Sequence, residues 1–137
     1  MLKTHAALTV AVLSIACAVL AGCESPAARQ EGSIFCEAYP EMLATNPVYC
    51  RDTIQAAKAR GIDYRQLINS CLASDKAAMH QLFWLASDDG IEGEAAREGH
   101  VCFVGLILTR TGDAFFAECL AGESGATQET VRQSLLL

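Results

Sequence analysis

The chain reads as an all-α protein, a small bundle of about five to six short helices arranged as helical hairpins and stapled by disulfides. Three observations predict this. From Asn46 onward, capping residues, glycines and prolines punctuate the chain at helix-length intervals. Between these marks apolar residues recur at three- and four-residue spacings, which place them on one side of a helix. The one stretch that reads equally as a buried strand, Val101 to Leu108, has flanks suited to a helix and no partner strand.

Ser33 to Thr45 reads as helical, with Pro40 inside it to break or kink the helix, because proline has no amide to donate. Asn46-Pro47 then supplies an N-cap and a proline at the first helical position, and Gly61 a stop. Between them Cys50, Ile54 and Ala57 share a face. In Ile62-Asp63-Tyr64-Arg65-Gln66-Leu67 an N-cap Asp is followed three residues later by Gln, and Ile62 and Leu67 are placed to close as a hydrophobic staple. The helix that follows carries the clearest stripe in the chain, Tyr64, Leu67, Ile68, Cys71 and Leu72.

Ser74-Asp75 caps a third helix with Ala78, Met79, Leu82, Phe83 and Ala86 inward, and the acidic loop Ser87 to Gly93 ends it. A fourth helix, from about Glu94 to Thr111, is apolar on every side between Val101 and Leu108 and is expected to be the central, most enclosed element. Gly112-Asp113 stops it and starts a fifth, with Phe115, Phe116, Cys119 and Leu120 inward and Gly122 after it. A last helix from about Ala126 carries Val131 and Leu135. Asp75 to Leu82 and Asp113 to Leu120 repeat one cap-to-leucine spacing at an offset of 38 residues. Two copies are too few for a solenoid, and they read as two helical hairpins.

Residues 1–22 open with Lys3, continue with an apolar stretch from Ala6 to Leu20 interrupted only by Thr9 and Ser14, and end on small residues. That is the make-up of a secretory signal, and the run is shorter than the roughly 20 residues a spanning helix needs. Leu20-Ala21-Gly22-Cys23 resembles the lipobox of bacterial lipoprotein precursors. The likeness covers only the first 23 residues and leaves the family of the mature domain open. It implies that residues 1–22 are cut away, that the Cys23 thiol is diacylated and that the new amine is acylated. One acyl chain holds a protein at a bilayer only marginally, whereas three make release negligible. Glu24 is not the Asp that signals inner-membrane retention in such proteins, so the resemblance favours the periplasmic face of the outer membrane. Residues 23–32 then read as the lipidated Cys and a flexible tether, and residues 33–137 as the helical domain.

With Cys17 lost in the signal and Cys23 lipidated, Cys36, Cys50, Cys71, Cys102 and Cys119 remain. An exported location makes disulfides the default. In an antiparallel hairpin turning near Gly61-Ile62, Cys50 and Cys71 come within about 3 Å in height; across Gly112, Cys102 and Cys119 differ by about 4.5 Å. One staple per hairpin is therefore expected, each stabilising by about 2–4 kcal/mol. Cys36 is left as a buried thiol, as a half of an intermolecular bond, or as Cys71's partner in place of Cys50. No C-x-x-C pair occurs, and His100-x-Cys102 with His80 matches no zinc framework, so neither a redox site nor a metal site is expected.

The formal charge is −6, and the basic residues stand singly among acids. That excludes nucleic acid and basic-patch adhesion to anionic lipid. Gly122-Glu123-Ser124-Gly125 falls short of a nucleophile elbow. Asp88 to Glu94 has Gly90 where a calcium loop needs an oxygen ligand. Without paired catalytic groups or a cofactor motif, no enzyme and no cofactor is expected. One surface stands out: on the third helix Trp84 projects away from the apolar stripe with His80 one turn earlier, a candidate site for a protein partner. These features lead to the expectation of a lipid-anchored binding or accessory protein of the envelope. The alternative is an immunity or inhibitor protein whose acidity steers it to a basic toxin or hydrolase.

Overall fold

The computed structural model describes residues 47–87 and 89–136, together with Gln30, Phe35, Glu37, Ala38, Tyr39 and Met42. Among these the chain forms six α-helices and no strand: α1 Pro47–Ala59, α2 Tyr64–Leu72, α3 Lys76–Ala86, α4 Glu94–Thr111, α5 Asp113–Ala121 and α6 Gly125–Leu135. Local chemistry sets the ends. After α1 the Gly61 amide bonds the Lys58 carbonyl at 2.9 Å and the Ile62 amide reaches back to Ala57 at 3.0 Å. This closure needs Gly61 in the left-handed region, at φ +75°. Asp63 then caps α2 by accepting the Gln66 amide at 3.1 Å.

The turn from α2 to α3 repeats the closure with a non-glycine residue. Ser74 sits at φ 62°, its amide on Cys71 and that of Asp75 on Ser70. Asp75 at once caps α3, accepting the Ala77 and Ala78 amides at 2.8 and 3.2 Å. The repeat expected of Asp113 is absent: Asp113 is the first residue of α5, and Gly112 holds the cap position without a side-chain bond. Ser124 caps α6 through the Thr127 amide, starting it one residue before the expected Ala126.

Burial follows the stripes closely. Tyr64, Leu67, Ile68 and Cys71 on α2 are buried, as are Ala78, Met79, Leu82 and Phe83 on α3, with Leu85 added. Phe35, Tyr39 and Met42 are also buried; Phe35 stacks on Phe103 at 4.9 Å and meets Tyr39 and Tyr64 edge-on. Phe35 and Glu37 are helical, while Pro40 and Cys36 lie outside the described residues.

The pairing of helices departs from the expected hairpins. α4 touches all the other helices and packs most extensively on α1, whereas α2 packs chiefly on α3. Gly99 explains the α1–α4 crossing, for a methyl there would overlap the Thr53 hydroxyl and the Tyr49 carbonyl. Thr53 seals the contact by sharing its hydroxyl proton between the carbonyls of Tyr49 and Ala96, both at 2.8 Å. Neither expected staple forms. Cys71, Cys102 and Cys119 are free thiols, and Cys50 is disulfide-bonded to none of these three. The height matching presumed that α1 lies along α2 and α4 along α5, whereas α1 packs far more extensively on α4 than on α2.

α4 is central but not the most enclosed element. Ala96, Gly99, His100, Phe103, Val104, Leu106 and Ile107 are buried, yet Val101, Cys102, Gly105 and Leu108 are only half-buried. A depression of about 770 Å³ runs beside Val101 and Cys102.

Candidate functional site

The site is organised by α3. Its buried stripe of Ala78, Met79, Leu82, Phe83 and Leu85 turns Ala77, His80, Gln81 and Trp84 outward, as 100° per residue requires. Trp84 is 42% exposed, one of few large apolar side chains so placed among the described residues. Its exposure agrees with the expected outward projection.

His80, the other predicted partner residue, is exposed but engaged. Its Nδ1 lies 2.5 Å from Glu123 Oε1, and its ring rests on Gly122, where an added Cβ would come 3.2 Å from Cε1. One turn earlier Lys76 pairs with Glu118. These two contacts fasten one flank of α3 to α5 and to the turn before α6, so His80 braces the Trp84 helix.

On the other flank α2 and α3 leave a groove of about 540 Å³, lined by Ile62, Asp63, Gln66, Leu67, Ser70 and, from α3, by Asp75, Ala77, Ala78 and Gln81, with Gly61 at its end. Two carboxylates and no basic side chain stand among these lining residues. Ala77, Gln81 and Trp84 fall within about 60° of one another around α3, so Trp84 continues the line of the groove by one turn.

A buried polar chain lies behind this face. His100 is 1% exposed; its Nε2–H donates to the Leu82 carbonyl at 3.0 Å, and its Nδ1 accepts the Tyr64 hydroxyl at 2.7 Å. A carbonyl can only accept, which fixes the proton on Nε2. Burial drives the His100 pKa down to about 4, only partly opposed by the Leu82 carbonyl, and raises that of Tyr64 well above its ordinary value. The network joins α2, α3 and α4. Sequence reasoning passed over it, considering His100 only as a metal ligand; the available signal was a histidine on the inward side of an otherwise apolar run.

Burial likewise pushes the Cys71 thiol up to about 12, with the Asp75 carboxylate adding to it, so Cys71 is a packed thiol and not a nucleophile. His80, His100 and Cys102 are not brought together, and among the described residues no group of three or more His, Cys, Asp or Glu side chains is placed to hold a metal. Ser124 is spent as a helix cap. In the acidic loop Glu92 pairs with Arg60 at 2.8 Å and Arg97 Nε bonds the Ile91 carbonyl, while Asp88 lies outside the described residues. So do Leu20, Ala21, Gly22 and Cys23, the whole of residues 1–22, and the tether except Gln30. No helix among the described residues is long and apolar enough to cross a membrane. Compared with family models, with curated proteins and with solved structures, the chain matches none.

Proposed function

We propose that the mature chain is a lipid-anchored binding or accessory protein on the periplasmic side of the envelope, held through Cys23 at the outer membrane, and that it works by docking a protein partner and not by catalysis. The observation that carries this reading is Trp84: an indole 42% exposed on a helix whose opposite face is fully packed. Large aromatics on rigid elements are the residues that most often anchor protein interfaces. His80–Glu123 and Lys76–Glu118 tie the flank of that helix to α5 and to the turn before α6, and its buried stripe packs it on the core.

The test is affinity capture from detergent-solubilised envelopes with wild type and Trp84→Ala in parallel. Because the indole is substantially exposed, the variant keeps its thermal unfolding midpoint while losing the captured partner. Equal recovery of the same proteins by both forms contradicts the reading. The identity of the partner also separates the accessory role from that of an immunity protein, whose partner is a toxin or hydrolase.

A further inference from the structure

The α2–α3 groove and Trp84 form one strip, and its chemistry selects a partner. We infer that this strip receives a lysine- or arginine-bearing segment of the protein partner, a deeper statement of the Trp84 reading and resting on it. Asp63 and Asp75 cap α2 and α3 through Oδ1, which leaves Oδ2 of each carboxylate for an external donor. No basic side chain lines this groove; Lys58 and Arg65 line the separate depression on the other side of Asp63. A cation bonded there gains a charge-assisted hydrogen bond.

The rest of the lining suits the remainder of such a segment. Ile62 and Ala77 offer apolar surface for the methylene stem of a lysine or arginine, while Gln66, Ser70 and Gln81 bring amides and a hydroxyl that match an extended backbone. Trp84 follows Asp75 by about 14 Å along α3, where its ring face accepts a second cation or an apolar side chain of the same segment. The chain's charge of −6 works in the same direction, drawing basic partners and repelling acidic ones.

The experiment uses the full chain and two fluorescein-labelled probes, a 12-residue Lys/Ala peptide and its Glu/Ala counterpart, titrated by fluorescence anisotropy. Asn caps a helix about as well as Asp, so Asp63→Asn with Asp75→Asn removes both charges and leaves the helix starts intact, which circular dichroism melts verify. Asp113→Asn with Glu129→Gln removes the same charge elsewhere. The Lys/Ala peptide is expected to bind and the Glu/Ala peptide not to. The groove pair should weaken binding about fivefold or more, the control pair less than about twofold, and added salt should weaken it further.

Failure of the Lys/Ala peptide to bind overturns the inference, as does equal loss in both charge-matched pairs. Envelope capture with the groove variant separates this from the reading it rests on. Partner recovery that depends on Trp84 but not on Asp63 and Asp75 leaves the Trp84 surface standing and removes the basic partner. Recovery that depends on neither removes both.

Discussion

At Gly99 the absent side chain decides how two helices meet. Its Cα faces Thr53 and the Tyr49 carbonyl so closely that α1 must move to admit a methyl. Gly99→Ala is therefore expected to destabilise by about 1–3 kcal/mol, the range for forcing extra volume into packed structure. Gly105, six residues on in the same helix, has nothing within 4 Å of where a Cβ would stand. Gly105→Ala should instead stabilise by about 0.5–1 kcal/mol, since alanine restricts the unfolded chain and favours the helix. Denaturant unfolding of the two variants checks the opposite signs, and equal signs would contradict the crossing described here. The sequence alone points the other way, since Gly105 lies inside the apolar run and Gly99 stands between Glu98 and His100, outside it.

Between elements, the Tyr64–His100–Leu82 chain links three helices through one neutral imidazole. The folded-state pKa of about 4 lies below the ordinary 6.5, so the unfolded chain binds the proton more readily. The network's full contribution is present above about pH 6.5 and is lost as pH falls through 4, a difference of about 3 kcal/mol at 1.36 kcal/mol per pH unit. The Tyr64 hydroxyl and the Leu82 carbonyl hold the ring, and no neighbouring charge offsets the effect of burial. Thermal unfolding between pH 7 and 4 should show a falling midpoint, and His100→Gln, less stable at pH 7, should flatten that slope; an unchanged slope in the variant would assign the acid sensitivity elsewhere. Helix positions were legible in the sequence because their signals are local: Asp63 with Gln66, Asp75 ahead of Ala77, Gly61 after α1. Helix pairing was not legible, because it depends on fit across space, as Gly99 against Thr53 shows. The two expected pairings failed for this reason, having assigned Cys50 to Cys71 and Cys102 to Cys119 by adjacency along the chain. Trp84 was legible because exposure follows from angle around one helix, whereas the groove beside it needed the α2–α3 packing.

For the whole molecule the proposed picture is an acidic helical domain whose Trp84 face and carboxylate-lined groove are presented near a bilayer. In that proposed picture an anchor would act energetically as well as setting the location. Confinement to a surface raises the effective concentration for a partner in the same envelope, so a modest groove affinity suffices for stable engagement. All of this depends on the fate of Cys23, and intact mass spectrometry of the protein recovered from envelopes examines that directly. The account predicts a chain that begins at Cys23 and carries the mass of attached acyl chains. A chain that still begins at Met1, or a processed one without acyl mass on Cys23, would contradict it.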